Sequence, residues 1–562
     1  MSFLQPPPQL GNQWREDRAL QRLLARRLPP DVLRSIEPSL DQMGELAAGE
    51  LLRLAHESRN VLPEWIPFDA WGRHVDEIRV NAAWRRCREL AAEQGLIATG
   101  YERAHAAYSR VHQFALVYLF APSSQVYTCP LAMSDGAART LETLANTELR
   151  DAVLPRLLSR DPARVWTSGQ WMTERAGGSD VGLSETVARR TPEGWQLSGV
   201  KWFTSAVSSE VALTLARPEG NGPGGKGLAL FLVHTRDAQG RPNRVRVLRL
   251  KEKLGTRSVP TAELELDGMP GVLVARASDG VRDMAAMLNL TRTWNAVCSA
   301  ASMRRGLALA RDYARRRVAF GALLSEKPLH LETLADLAAE QEAALQLTFH
   351  SVFLLGREEA GELDEPGQAL LRLLQPVAKL LTARQAVAGA SEVLEAFGGA
   401  GYVEDTGLPE ILRDAQVLSI WEGTTNVLSL EAFRAVARAG ALGPFAAEIR
   451  TRAGTARAAS LGEPARRACA AAEHAEQWWA AAPAKGAAAS EAGARRFAFT
   501  LGRALALALL IEQAQWDLDR DGDGRGVEAA NRFARAGVDC LQDEAGDAAA
   551  TARLALDEPG RG

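Results

Sequence analysis

The stretch "EAFGGAGYVEDTGLPEILRDAQVLSIWEGTTN", residues 395–426, contains an interrupted helix, a second helix and a lone carboxylate. Glycines within 398–401 break the first helix and let its backbone approach a ligand closely. The second helix leads to Glu422, which stands between the indole of Trp421 and Gly423. A surface glutamate needs neither neighbour, whereas a partly desolvated carboxylate with a ligand against its own backbone needs both. We therefore interpret Glu422 as a candidate base.

The stretch "RRRVAFGALL", residues 315–324, lies upstream at the end of a helical pattern. Arg317 and Phe320 are three residues apart, which predicts that they are neighbours on one helical face. A guanidinium beside an aromatic ring could bind a pyrophosphate that carries a ring system. Taken alone, the stretch could equally be a solvated basic run.

The stretch "KWFTS", residues 201–205, has the composition of a β-strand. Side chains two positions apart share one face of a strand, so we expect Trp202 and Thr204 to lie side by side. An indole that packs on a ring and a hydroxyl that bonds its edge suit a flat heteroaromatic ligand. An ordinary Trp/Thr strand remains the alternative.

The stretch "WMTERAGGSD", residues 171–180, places Thr173 ahead of a flexible Gly-Gly-Ser run. Successive backbone amides at glycines can hold a phosphate, and a glycine has no Cβ to keep the ligand away. The alternative is a polar turn that joins two strands. This glycine signal is loose and does not match a P-loop.

In order and spacing, these stretches resemble the acyl-CoA dehydrogenase family of flavoproteins. The family pattern has a TE-x-x-x-G-SD loop, a K-W-x-T strand, an R-x-x-F-G segment, a GG-x-GY turn and an EGT base motif. All five occur here in that order over about 250 residues, a combination that chance rarely produces. The resemblance covers roughly residues 1–440.

The resemblance implies an α+β multidomain fold. We expect an N-terminal helical domain over 1–165, a middle β-barrel or sandwich domain over 166–275 and a C-terminal four-helix-bundle domain over 276–440. An additional helical domain follows over 441–562. The residue patterns agree, because long helical periodicities flank short alternating segments that are divided by Gly or Pro.

The resemblance also implies that the chain binds FAD. The cofactor-binding residues carried over from the family motifs are Met172, Thr173, Ser179, Trp202, Thr204, Arg317, Phe320, Gly398, Gly399, Thr424 and Asn426. Among these, Arg317, Phe320 and the Gly398-Gly399 turn match residues that reach the FAD of a neighbouring subunit. The implied assembly is therefore a homotetramer, a dimer of dimers, with a dimer as the alternative.

The implied reaction is the α,β-dehydrogenation of an acyl-CoA thioester, as in fatty acid metabolism. Glu422 matches the base that removes the α-proton while the β-hydride goes to flavin N5. The backbone N–H of the same glutamate and a ribityl hydroxyl of FAD would bind the thioester oxygen. An electron-transfer flavoprotein would then reoxidise the flavin. The substrate-binding residues implied are Ser179, Arg292, Trp421 and Gly423.

Four positions depart from the usual family pattern. Arg175 replaces a proline, Trp421 replaces a tyrosine, Asn289 replaces an aspartate and Glu395 replaces a glutamine. In these departures, in its length and in its extra C-terminal helices, the chain resembles a divergent branch of the family. That branch includes the adaptive alkylation-response (AidB-like) flavoproteins of bacteria. A large indole near the base predicts a short or reshaped acyl pocket, with poor turnover of long straight chains and a preference for branched, aryl or unusual thioesters.

That branch suggests an alternative function, a weak dehydrogenase that binds or protects DNA. DNA binding needs clustered Lys and Arg to neutralise phosphates. The chain has a formal net charge of −3, and residues 441–562 hold 15 Lys and Arg against 17 Asp and Glu. We therefore do not expect a DNA partner.

Length and composition indicate a soluble protein of several domains. With 562 residues the chain exceeds what one core usually holds. Its five cysteines form no CxxC pair, and the start shows no basic region followed by an apolar run, so we expect reduced thiols in the cytoplasm. The most apolar run, "ALALALLI" at 504–511, is too short to cross a membrane. Heavy Ala and Arg use is typical of a GC-rich bacterial genome.

The segment "DLDRDGDGRGVE", residues 517–528, fits the spacing of a calcium-binding loop. Its eighth position is Gly524, where a hydrophobic residue usually locks such a loop, and no second loop follows. We interpret the segment as a polar connection between two helices and expect no metal site.

Overall fold

The computed structural model describes residues 6–144, 146–543 and 548–559 as helical, β, helical and helical units in that order. This order confirms the predicted α+β multidomain fold.

The N-terminal unit is mainly helical, and its helix boundaries follow from caps and prolines. Asp17 caps the first helix by accepting the N–H of Leu20 at 2.9 Å, and Pro30 occupies the first position of the second. The helices are Arg18–Arg27 (α1), Pro30–Ala48 (α2), Glu50–Ser58 (α3), Ala82–Glu93 (α4), Ala98–Glu102 (α5), Ser109–Phe120 (α6), Thr128–Thr143 (α7) and Thr147–Leu157 (α8).

A β-hairpin interrupts this helical unit and was not predicted. Its strands are Glu64–Phe68 (β1) and His74–Arg79 (β2). The Asp76 carboxylate accepts the backbone N–H of Val247 at 2.8 Å, and the guanidinium of Arg236 donates to the Asp76 carbonyl at 2.6 Å. The hairpin is thus stabilised by the middle unit, which a local sequence pattern cannot reveal.

The middle unit is a closed β-barrel. Its strands are Ser168–Trp171 (β3), Val187–Thr191 (β4), Gly194–Ser205 (β5), Val211–Pro218 (β6), Ala229–His234 (β7), Val245–Leu250 (β8) and Thr261–Leu273 (β9). The pairings β6–β4, β4–β5, β5–β9, β9–β7 and β7–β6 close the barrel, while β3 adds to β6 and β8 adds to β9. Buried Phe231, Leu264 and Ala212 are part of its core.

The third unit packs three long helices against one another. Its helices are Gly280–Asp283 (α9), Ala285–Ala314 (α10), Pro328–Glu359 (α11), Glu365–Ala396 (α12), Leu408–Leu418 (α13) and Thr425–Ala439 (α14). Two short strands, Val318–Ala319 (β10) and Ala322–Leu323 (β11), form a hairpin after α10.

The C-terminal extension shares one hydrophobic core with the third unit. Its helices are Leu442–Ala453 (α15), Gly462–Lys485 (α16), Ala487–Asp521 (α17), Arg525–Arg535 (α18) and Ala548–Ala555 (α19). Buried side chains of α15–α18 join those of α11, α12 and α14 in a single cluster. Within the described ranges, α17 alone is long and apolar enough to span a membrane. Because 83% of its most apolar window is buried inside the protein, we assign it as a core helix.

The acidic segment 517–528 forms the last turn of α17, a turn at Gly522 and the start of α18. Its carboxylates pair with arginines: Asp517 and Asp521 with Arg22, Asp519 with Arg457, Asp523 with Arg18, and Glu528 with Arg532. The pairs with Arg18 and Arg22 tie the extension to α1, whereas the pairs of Arg457 and Arg532 lie within the extension. Across the part of the chain that the structure describes, no group of three or more His, Cys, Asp or Glu could hold a metal.

Candidate active site

The loop that carries Glu422 has an unusual backbone. It joins α13 to α14, and the N–H of Trp421 closes the end of α13 on the carbonyl of Val417 at 3.0 Å. Glu422 has a φ of 56°, in the left-handed region that non-glycine residues rarely adopt. Such a conformation costs on the order of 1–3 kcal/mol and persists only where surrounding contacts enforce it. Gly423 follows with a φ of 106°, which favours glycine.

Residues of α10 hold Glu422 from one side. The hydroxyl of Thr291 donates to Oε2 of Glu422 at 2.6 Å, and Nε of Arg292 donates to the Glu422 carbonyl at 3.2 Å. The rest of the Arg292 guanidinium makes two hydrogen bonds to Glu431 at 2.6 and 2.8 Å. Arg292 was predicted to bind substrate. Its guanidinium is engaged with protein groups here, and a substrate contact stays a prediction.

A buried lysine of α12 holds the same loop from the other side. Nζ of Lys379 donates to the carbonyls of Trp421 and Gly423, both at 2.7 Å. Burial lowers the pKa of Lys379 to about 7, although the nearby charge of Glu422 raises it. Sequence analysis missed Lys379 and Thr291. The available signal was a lysine inside the apolar helix pattern "LLQPVAKLLTA".

A buried thiol places the base near the end of β5. Cys129 on α7 lies close enough to the charge of Glu422 and the hydroxyl of Ser205 for both to influence its ionisation. Burial raises the pKa of the Cys129 thiol to about 12, so it stays protonated at neutral pH. Trp421 packs against the same hydrophobic cluster that contains Cys129. The residue before Glu422 is therefore part of an apolar wall.

The glycine loop 173–180 has a geometry that only glycine permits. Gly177 has a φ of 116°, and a Cβ at Gly178 would lie 2.5 Å from the hydroxyl oxygen of Thr173. Ser179 is exposed at the end of this loop, and Met172 is buried at its start. The loop thus packs closely on the Thr173 side chain at Gly178 and is open to solvent at Gly177 and Ser179.

The charged residues of the loop and of β5 form a buried ion pair. Nζ of Lys201 donates to Oε1 of Glu174 at 2.6 Å and to the carbonyl of Leu215 at 2.7 Å. The Glu174 carboxylate also accepts the hydroxyl of Thr186 at 2.6 Å. Burial opposes ionisation of Glu174, but the charge and hydrogen bond of Lys201 outweigh it and hold the pKa of Glu174 below its usual value. This pair fixes the glycine loop to β5.

In the KWFTS segment of strand β5, side chains do not alternate regularly between the two faces of the sheet. Its pairing with β9 shifts register between Lys201 and Thr204, so the prediction of regular alternation does not hold there. Trp202 is half-buried, and its ring is covered by the ammonium of Lys251 at 3.9 Å from the centroid. Thr204 is buried and donates to the carbonyl of Ala262 at 2.7 Å. The backbone N–H of Trp202 donates to the Thr173 carbonyl at 2.9 Å, which joins the two motifs.

Arg317 and Phe320 do not share a helical face, contrary to the prediction. The helix α10 ends at Ala314, Arg317 immediately precedes strand β10, and Phe320 lies in the β10–β11 turn. Phe320 and Gly321 form its two-residue turn, with φ values of 50° and 77°. Positive φ at both central positions matches the twist of a tight hairpin, which explains why the helix pattern stops. Phe320 is 99% exposed.

The remaining predicted residues lie on the surface of the third unit. Gly398 and Gly399 are exposed in a short 3-10 helix, Gly398–Tyr402, with open space where a Cβ would stand. Thr424 caps α14 by accepting the N–H of Val427 at 3.4 Å. Asn426 accepts a hydrogen bond from Arg495 of the extension at 3.2 Å. Their contacts with a cofactor stay predictions.

The Glu174–Lys201 pair gives a direct test of how the glycine loop is held. Lys201→Met leaves a carboxylate buried without its counter-charge, and we expect a loss of about 3–5 kcal/mol in the free energy of unfolding, measured by urea denaturation. The double variant Glu174→Gln/Lys201→Met should recover much of that loss.

The matched control is Arg189→Met, which breaks the exposed Arg189–Glu219 pair on the same sheet and should cost less than about 1 kcal/mol. Equal losses for Lys201→Met and Arg189→Met would contradict the structural role of the buried pair.

Profiles of known domain families match almost the whole chain. The AidB N-terminal domain of adaptive response proteins matches residues 5–162, and the middle domain of acyl-CoA dehydrogenases matches 169–269. The C-terminal domain of acyl-CoA dehydrogenases matches 278–437, and the C-terminal domain of acyl-CoA dehydrogenase 11 matches 440–557.

Individual relatives agree with these matches. Acyl-CoA dehydrogenase family member 11 of Caenorhabditis elegans is 44% identical over 442 residues, which cover 77% of this chain and 72% of that protein. AidB of Escherichia coli strain K12 is 32% identical over 402 residues, 70% of this chain and 72% of AidB. The crystal structure of C. elegans ACDH-11 in complex with C11-CoA superposes with a TM-score of 0.95 at 37% identity, covering 100% of this chain and 98% of that one. The chain therefore belongs to the acyl-CoA dehydrogenase family, in its AidB-like branch.

Proposed function

We propose that the chain is an FAD-dependent acyl-CoA dehydrogenase in which Glu422 removes the α-proton of an acyl-CoA thioester. The observation that carries this proposal is the half-buried carboxylate of Glu422. The residue has a left-handed backbone conformation, and within the described residues only Oε2 of its carboxylate accepts a hydrogen bond, from the Thr291 hydroxyl. Family membership supplies the reaction class, and the loop supplies a residue able to perform the proton transfer.

The proton transfer uses the free oxygen of the base. Because the Thr291 hydroxyl donates to Oε2 of Glu422, Oε1 remains available to accept the α-proton. The α C–H bond breaks, an O–H bond forms on Glu422, and the electron pair is delocalised onto the thioester carbonyl. The N–H of Glu422 has no hydrogen-bond partner within the described residues, so it is available as a donor to that carbonyl oxygen.

The glycine loop fits the cofactor that the family implies. The backbone of Gly178 packs directly against the Thr173 side chain, and residues 175–180 of the same loop, including Ser179, are exposed. Thr173, Ser179 and Trp202 would hold FAD, with the loop amides near its pyrophosphate. Bound FAD supplies the acceptor for the β-hydride, and an electron-transfer flavoprotein is the proposed oxidant of the reduced cofactor.

Removing the base should separate cofactor binding from chemistry. We expect Glu422→Gln to retain FAD while the rate of flavin bleaching by acyl-CoA falls about a hundredfold or more, because the α-proton has no acceptor. Stopped-flow absorbance of the flavin measures this rate. The matched control is Glu392→Gln, a half-buried glutamate of α12 outside the loop, which should bleach like the wild type. Purified protein that neither contains FAD nor can be reconstituted with it would refute the proposed function.

The proposed substrate is an acyl-CoA of intermediate chain length. Trp421 packs its indole against the core beside the base, which limits the space for a long straight chain. The solved structure of the relative ACDH-11 contains C11-CoA, which supports a medium-length acyl group.

A chain-length series should reveal that limit. We expect octanoyl-CoA or undecanoyl-CoA to reduce the flavin at least about tenfold faster than palmitoyl-CoA, since a clash of even a few methylenes is costly in a packed pocket. Branched and aryl thioesters belong in the same series, because a reshaped pocket can favour them. Fastest reduction by palmitoyl-CoA would contradict this assignment.

The proposed assembly is a homotetramer. Phe320, 99% exposed, and Tyr402, 90% exposed, lie on the hairpin and turn that the family uses to reach a neighbour's cofactor. Solvent-exposed aromatic rings at such positions favour burial in a subunit interface.

Truncating the exposed hairpin aromatic should test that assembly. We expect Phe320→Ala to lower the affinity for FAD about tenfold or more and to increase the share of smaller species in sedimentation velocity. Trp71→Ala, which truncates an equally exposed aromatic at 92%, should leave the affinity for FAD unchanged. A flavin-saturated wild-type monomer would contradict the shared site.

The surface charges of the extension do not favour the DNA-binding alternative. Ten of its arginines pair with acidic side chains, which reduces the positive charge available to a phosphate backbone. The paired arginines are Arg450, Arg452, Arg457, Arg466, Arg467, Arg503, Arg520, Arg525, Arg532 and Arg535.

The five cysteines are free thiols, which supports the proposed cytoplasmic location.

A further inference from the structure

Lys379 is a buried cation whose hydrogen bonds flank the base. It lies in the middle of α12, its side chain is fully buried, and Nζ donates to the carbonyls of Trp421 and Gly423 at 2.7 Å each. Arg292 donates to the carbonyl of Glu422 between them at 3.2 Å. Three successive peptide carbonyls therefore face two cations of the helical unit.

The position of a carbonyl fixes the direction of the next amide. In a planar trans peptide the C=O of one residue and the N–H of the next point in opposite directions. The carbonyl of Trp421 points at Lys379, in the interior of the third unit, so the N–H of Glu422 points away from Lys379. That N–H has no partner among the residues that the structure describes.

A positive charge on Lys379 also makes the N–H of Glu422 a stronger hydrogen-bond donor. A hydrogen bond accepted by a peptide carbonyl polarises the peptide and makes its N–H a better donor, and an ionised donor does so more strongly. Lys379 acts in this way on the Trp421–Glu422 peptide, which carries the Glu422 N–H, in the fraction of molecules in which it is protonated. The charged groups that face Lys379 are Glu422 on the loop and Arg292 on α10.

We propose that Lys379 is the positioning residue of the oxyanion site: it holds and polarises the Glu422 peptide so that its N–H binds the thioester carbonyl. The inference rests on the proposed function, in which that N–H meets the substrate. Lys379 touches neither substrate nor reacting atoms and acts through the carbonyls of Trp421 and Gly423.

The test uses three variants of the full-length FAD-loaded protein. Lys379→Met removes both hydrogen bonds, Lys379→Gln keeps a neutral donor, and Arg384→Met removes an exposed cation of the same helix. We expect Lys379→Met to slow flavin reduction by medium-chain acyl-CoA about tenfold to a hundredfold, because a Glu422 N–H that is no longer held in place loses part or all of the effect of one oxyanion donor. FAD content and the dissociation constant for acyl-CoA should change less than about threefold, because only the transition state uses the lost donor strength.

A spectroscopic readout separates positioning from a general structural role. The probe is a 3,3-dimethylacyl-CoA labelled at its carbonyl, which binds but has no β-hydrogen to lose. Its C=O stretch, measured by isotope-edited infrared, should shift to lower frequency on binding to the wild type and to Arg384→Met. The shift should be lost in Lys379→Met and intermediate in Lys379→Gln, which should also recover part of the rate.

Each outcome either supports or overturns the positioning role of Lys379. A wild-type C=O shift that persists in Lys379→Met or Lys379→Gln would overturn the inference, as would wild-type rates in either variant. If Lys379→Met does not fold, Lys379→Gln alone decides. A wild type that shifts the C=O stretch but fails to reduce flavin would refute the proposed function and leave the Lys379 comparison intact, because the infrared probe needs no oxidation.

Discussion

The left-handed turn at Glu422 is the constraint on which the site depends. A glutamate with a φ of 56° is stable only if the surroundings outweigh its backbone strain. The hydrogen bonds of Arg292 and Lys379 to three successive carbonyls supply that restraint. Because these cations come from α10 and α12, the two long helices determine where the carboxylate and its N–H point. The helical bundle thus fixes the geometry of the Glu422 loop.

A second buried cation serves the β-barrel in the same way. Lys201 joins Glu174 of the glycine loop to strand β5 through a 2.6 Å hydrogen bond, and it also donates to the Leu215 carbonyl. Desolvation of this pair is costly, so its value lies in fixing one loop geometry more than in net stability. Both loops of the candidate site are therefore held by a buried lysine.

The sequence predicted what is local and missed what depends on distant contacts. Glu422 and the glycine loop were predicted as site residues because short motifs carry them, and the unit order, which the structure confirms, was predicted from periodicity. Thr291 and Lys379 were missed because their partners lie 131 and 42–44 residues away. The three-residue spacing of Arg317 and Phe320 predicted a helix, but positive φ at the β10–β11 turn overrides that pattern. The β1–β2 hairpin needs the middle unit as its support.

The central claim, that Glu422 is the α-proton base, is tested most directly by proton exchange without oxidation. A 3,3-dimethylacyl-CoA has α-hydrogens but no β-hydrogen, so it can undergo only the first step of the proposed reaction. In D2O, mass spectrometry should show that the wild type incorporates one α-deuterium, since one base on one face removes one of the two hydrogens, and that Glu422→Gln incorporates none on the same timescale. Absence of exchange in the wild type, or equal exchange in the variant, would contradict this account.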